Sequence, residues 1–135
     1  MTLATGTVRP EVTTPVVQTP LMNGTANFYS GPAEALVVRT ATQFDALWTA
    51  RMGGTPPAVD FSKDQVLVAF EDPTTRRRVS VARSVLLEDN ELAVTVNTTL
   101  AAGAPTTRGA PYSMVTTPKT FGPVQFETVD TTPRP

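Results

Sequence analysis

Four kinds of residue in this sequence could do chemistry: carboxylates in pairs, two lysines, a run of arginines and a single tryptophan. The pairs are Glu71-Asp72 and Glu88-Asp89. Adjacent side chains on a strand point to opposite faces, so neither pair converges as acid/base catalysis requires. Both pairs fall in turn-forming sequence, and solvated turn ends are the expected role. Asp60 and Asp64 flank Ser62-Lys63, but the run lacks the glycine and terminal glutamate of a calcium loop, so no metal site is expected. Arg76-Arg77-Arg78, with Arg83 beyond, is the only dense charge cluster. On a strand, Arg76 and Arg78 share one face, and Arg77 and Arg83 take the face of Val79. Arginines at a strand end discourage edge pairing. Their guanidinium forks also suit an acidic or phosphate-bearing partner, which makes Arg76, Arg77 and Arg78 candidate partner-binding residues. No aromatic residues interleave with them, so nucleic acid is not an expected partner.

The missing residue types narrow the chemistry further. The chain has 135 residues with no His and no Cys. That excludes Ser-His-Asp and Cys-His catalysis, His- or Cys-ligated zinc, Cys-ligated iron–sulfur clusters, disulfides and histidine pH switching. Carboxylate chemistry, hard-metal chemistry and a Ser-Lys pair survive, and the only lysines are Lys63 and Lys119. The balance points to a binding or structural protein without a cofactor rather than an enzyme. The net charge of −1 offers no global basic field for nucleic acid or an anionic membrane. No apolar run approaches the roughly 18 residues of a membrane span. Met1 to Gly6 has neither a charged nor an apolar leader region, so no signal peptide is expected there. Cytoplasm, a mature secreted form and a virus particle all fit this composition.

The elements that must position these residues are mostly strands. There are 24 Thr, which favour strands, and 13 Pro, which keep helices short. Glu34 to Thr40 reads as a strand. The apolar period then changes at Phe44, Leu47, Trp48 and Arg51, which predicts one helix over 42–52, capped by Thr42 with Asp45 near the positive dipole end and stopped by Gly53-Gly54. Trp48 belongs to the core on this spacing. Gln65 to Phe70 is nearly continuously apolar, the mark of a central strand covered on both faces. Val79, Val81, Val85 and Leu87 share one face of a strand, and Leu92, Val94 and Val96 one face of the next, joined by the hairpin turn Glu88-Asp89-Asn90-Glu91. Residues 101–110 form a polar loop, Tyr112 to Thr117 a strand, and Val124 to Val129 the last strand. The fold class is mainly β: a small antiparallel β-sandwich or barrel-like domain over 26–135, with one short helix and an extended N-terminal arm.

The arm, residues 1–25, holds seven Thr and three Pro, with Pro10, Pro15 and Pro20 at five-residue spacing. That spacing blocks a helix and predicts extended backbone. Val16, Val17, Leu21 and Met22 are its apolar anchors and are candidate contacts to a protein partner or a neighbouring copy of the chain, in a possible homo-oligomer. On this reading, removing 1–25 leaves the domain's melting temperature nearly unchanged and weakens association.

Four segments carry a resemblance: Gln43-Phe44-Asp45-Ala46-Leu47-Trp48; Val59 through Phe70; Leu92-Ala93-Val94-Thr95-Val96; and Pro111 through Lys119. In order and spacing, over about 34–129, they resemble the C-terminal domain of the PrcB protease-complex subunit family. The resemblance implies a small β-rich, non-catalytic domain of the cell envelope that binds other proteins, including protease complexes. Where that family carries a Thr-Gly-Gly-Tyr-like turn before the hairpin, this chain has Thr74-Thr75-Arg76-Arg77-Arg78, so contacts made by that turn are lost or changed here. The arm lies outside the resemblance. A second reading, a virion structural protein such as a capsid decoration or head-stabilising subunit, rests on the arm, the absence of a leader and the near-neutral charge.

Overall fold

The apolar run from Gln65 to Phe70 becomes the middle of the molecule: every one of these six residues is buried. The structure, a computed structural model, describes residues 13–75, 77–100 and 109–131. Along the chain run β1 (Thr14–Val16), β2 (Thr19–Ala26), β3 (Glu34–Val38), α1 (Ala41–Arg51), β4 (Asp64–Phe70), β5 (Arg77–Leu86), β6 (Leu92–Leu100), β7 (Ala110–Pro118) and β8 (Val124–Asp130). They form two four-stranded sheets, ordered β1-β5-β6-β8 and β2-β7-β4-β3. The fold is a small, mainly β sandwich with one helix.

Alternation along β4 explains the layering. Val66, Val68 and Phe70 point to one face of their sheet, where Phe44, Trp48 and Met52 of the helical segment cover them. Leu67 and Ala69 point to the other, against Val81, Leu92, Val94 and Val96 of the second sheet. Helix, sheet and sheet therefore make three layers, with β4 in the middle one. Full burial of a Leu, Val or Phe side chain stabilises by roughly 1.5–3 kcal/mol, so β4 anchors both cores.

The helix occupies 41–51, and its cap is Thr40 rather than Thr42. Thr40 Oγ1 accepts from Gln43 N at 3.1 Å, while Gln43 Oε1 accepts from Arg39 N at 3.0 Å, a reciprocal closure of the first turn. Thr42 is one turn position too late to accept from these amides. At the other end Gly53 (φ 77°) and Gly54 (φ 81°) take the left-handed backbone that ends the helix.

Three expectations are corrected. First, the chain from Thr14 onward is sheet. β1 pairs antiparallel with β5, Val16 opposite Ser84, and β2 pairs antiparallel with β7 from Thr19 to Ala26. The residues expected as an arm thus join both sheets of their own chain; residues 1–12 lie outside the described part. Second, β5 carries a bulge between Val81 and Arg83. The extra residue shifts the alternation by one. Val79, Val81 and Leu86 face the core, Ser84 is buried, and Val85 and Arg83 leave the face of Val79. Third, β8 pairs parallel to β6, Leu92 opposite Val124. The short connector after β7 crosses between sheets, with Leu92 N donating to Pro123 O at 2.9 Å, so β8 enters at the end where β6 begins.

That connector is held by a buried polar cluster. Gln65, fully buried, donates through Nε2 to Thr117 Oγ1 (3.1 Å) and Thr120 Oγ1 (3.0 Å), and its Oε1 accepts from Arg39 Nε (3.3 Å). Arg39 Nη2 donates on to Gly122 O at 2.7 Å.

Candidate functional site

The arginine run does not act as one patch. Arg76 lies outside the described residues. Arg77 opens β5 and forms an ion pair with Asp130 at 2.8 Å, tying the start of β5 to the end of β8. Arg78, the next residue, is exposed on the outer face and forms no ion pair among the described residues. Arg83 is exposed beyond the bulge. Of the three predicted partner-binding arginines, the fold uses one and presents one.

Arg78 stands beside an unfilled strand edge. β1 covers β5 only over Ser84 to Leu86. Val81 donates its N–H to Ser113 Oγ at 3.1 Å, and its C=O accepts from Gln18 Nε2 at 3.0 Å. Both groups therefore point away from β6, and in an antiparallel ladder the backbone of Val79 points the same way. A second observation agrees: Thr98, opposite Val79, gives its C=O to Thr131 N at 2.8 Å, away from β5. The N–H and C=O of Val79 thus lie on an edge that no strand of the described fold covers.

This edge opens on a cleft of about 300 Å³. Asn23 and Gly24 of β2 lie on one side, Arg78 and Ser80 of β5 on the other, with Tyr112 and Ser113 of β7 also lining it. The cleft exists because the chain changes sheets at Val17 and Gln18: β1 pairs in one sheet and β2 in the other, leaving a seam between β5 and β2. Gln18 closes the upper end of the seam by bonding Val81 and accepting from Ser84 Oγ. Among the described residues no carboxylate lines the cleft. Burial raises the Tyr112 hydroxyl pKa above its usual value. Sequence reasoning missed Gln18, Tyr112 and Ser113, because nothing local marks a polar side chain that caps a distant strand.

The predicted arm anchors separate by face. Val16 packs, half-buried, against the core between the sheets and Leu21, half-buried, against the core under the helix. Val17 is 73% exposed and Met22 39%, so these two alone among the four face solvent.

The carboxylates cap turns. Asp60 Oδ1 accepts from Ser62 Oγ and, at 3.0 Å, from Ser62 N. These bonds, the hydroxyl's first, hold its carboxyl below the ordinary range. Asp72 Oδ1 accepts from Thr74 N (2.9 Å) and Oγ1 (2.8 Å) and is lowered for the same reason, the backbone bond first. Asp89 Oδ1 accepts from Glu91 N at 3.1 Å inside the hairpin turn, where Asn90 takes φ 74°. Glu71 departs from expectation: it is buried rather than solvated, and its Oε1 accepts from Asp72 N at 2.8 Å. Among the described residues no three acidic side chains gather as a metal site would require.

A second, apolar groove of about 440 Å³ runs between edge strand β3 and α1, lined by Leu36, Val38, Ala46, Leu47 and Ala50 among others. Arg51 closes one end. Its guanidinium sits 4.0 Å from the Tyr29 ring centre and 4.6 Å from that of Phe70, and Nη2 meets Glu34 Oε1 at 2.6 Å. That cation is committed to the fold by two rings and a carboxylate.

No protein-family model, curated protein or solved structure matches this chain, so the likeness to the PrcB domain rests on the segments quoted above.

Proposed function

We propose that this chain is a non-catalytic protein-interaction module that takes an extended segment of another protein as an added strand along β5. One observation carries the reading: the outward backbone of Val79 pairs with no described strand, while a cleft lies alongside. Added strands gain affinity from main-chain hydrogen bonds and selectivity from alternate side chains. The envelope setting and the protease connection implied by the PrcB resemblance are compatible with such a module and belong to the same proposal.

The test is Val79→Pro. Proline removes the outward N–H without touching the β6 ladder, because that N–H points away from β6. Proteins retained by the immobilised chain from an extract of the cells that make it should be lost with Val79→Pro but kept by Val79→Ala, which gives up the same core-facing side chain and keeps the outward N–H. Retention that is indifferent to Val79→Pro would remove the β5 edge from the function.

A further inference from the structure

We propose that the segment received at the seam is acidic: a short extended run whose outward side chain beside Arg78 is a carboxylate. This rests on the strand-addition reading above and adds the chemistry of the occupant.

Three observations lead there. The free run of β5 is Arg77 to Ser80, bounded by the Gln18 and Ser113 bonds to Val81. At about 3.3 Å per residue it accommodates about four residues of a neighbour. Within that run Arg78 and Val79 face opposite sides. A strand laid alongside must alternate in step, with one set of side chains beside Arg78 on the outer face and the other beside Val79, toward the seam. Opposite charges directly across a strand pair stabilise it and like charges destabilise it.

The charges then decide the sign. Arg77 is already neutralised by Asp130, whereas among the described residues Arg78 has no ion-pair partner and no carboxylate lines the cleft. Arg78 is the cation among the described residues that line the cleft, which fits a carboxylate accepting from its guanidinium fork. The other face, beside Val79, calls for a small or β-branched apolar residue. The expected pattern is acidic outward and apolar inward.

The probe is a fluorescein-labelled capped peptide, Thr-Val-Glu-Val-Glu-Thr, compared with the same peptide carrying Gln for each Glu, by fluorescence polarisation on the full chain. The acidic peptide should bind roughly tenfold or more tightly than the Gln peptide, the order expected when a hydrogen bond to a charged group replaces a neutral one. Arg78→Gln should erase the difference between the peptides, and Val79→Pro should weaken both. If both peptides bind equally and Val79→Pro removes both, strand addition stands and the acidic inference falls. If neither binds, the inference falls together with the strand-addition reading of this edge. A preference that survives Arg78→Gln places the recognising cation elsewhere and overturns the inference. So does a concentration-dependent dimer in sedimentation, broken by Arg78→Gln, with no peptide bound: the occupant is then a second copy.

Discussion

At the scale of single residues, Trp48 joins the helix to the core: it is 5% exposed, edge-on to Phe44 with ring centres 5.8 Å apart. Its indole N–H donates to Gly53 O at 2.9 Å, which ties the helix to its own stop signal. Trp48→Ala should destabilise by roughly 3–5 kcal/mol in chemical denaturation; a loss under about 1 kcal/mol would put the ring at the surface. Two of the turn-capping aspartates, Asp60 and Asp72, make a pH prediction. Both are held below the ordinary 3.8 in the folded state by hydrogen bonds to their ionised form. The unfolded chain therefore binds more protons over the window from the folded pKa up to about 3.8. Their contribution is fully present above that window and is lost as pH falls through the folded pKa. In urea titrations from pH 5 to pH 2, the double variant Asp60→Asn, Asp72→Asn should lose stability with acid less steeply than the parent. An unchanged slope would mean that other carboxylates govern acid sensitivity.

At the scale of elements, the ends and breaks of strands and helix differ from the sequence reading by one or two residues, with large consequences. Two threonines compete for the helix cap, and only Thr40 bonds the first turn. Thr40→Ala should cost about 1 kcal/mol. Thr42→Ala, exposed inside the helix, should be neutral or slightly stabilising, since alanine has the higher helix propensity. Urea midpoints of the two variants decide the matter; the opposite order would move the cap to Thr42. The β5 bulge is the other break. Without it Arg83 and Val85 would lie on the face of Val79. With it, Ser84 turns inward and reaches Gln18. Gln18→Ala removes the groups that meet Val81 and Ser84 and leaves both without them, at a cost of about 1–3 kcal/mol.

At the scale of the whole molecule, the first described strands connect the two sheets. Val16 packs into the core between the sheets and Leu21 into the core under the helix, while Gln18 joins β5 from the crossing. Removing residues 1–26 should therefore lower the melting temperature of the isolated chain steeply or prevent folding. That outcome is opposite to the one expected of a detachable arm. A melting temperature within a few degrees of the parent would mean that β1 and β2 add little to the fold. The same crossing leaves the seam open, so the feature that holds the sheets together also defines the proposed site.

What the sequence determined by itself is local. Periods of two and of 3.6 in the apolar residues place β3 through β8 and the helix, and continuous apolarity marks β4 as doubly covered, because burial acts on side chains whose spacing is visible in one dimension. The arginine run was visible too, as was the turn chemistry of Asp72 and Asp89. Tertiary structure alone decided where the extended N-terminal residues go. A solvated extended segment and an edge strand share nearly the same backbone angles, and Pro15 and Pro20 are tolerated in both. Only the distant partners β5 and β7 distinguish the two states. It also decided which arginine is presented. Asp130 neutralises Arg77 across a strand pair that the linear sequence does not display, the bulge turns Arg83 to the outer face, and Arg78 is left beside an open edge.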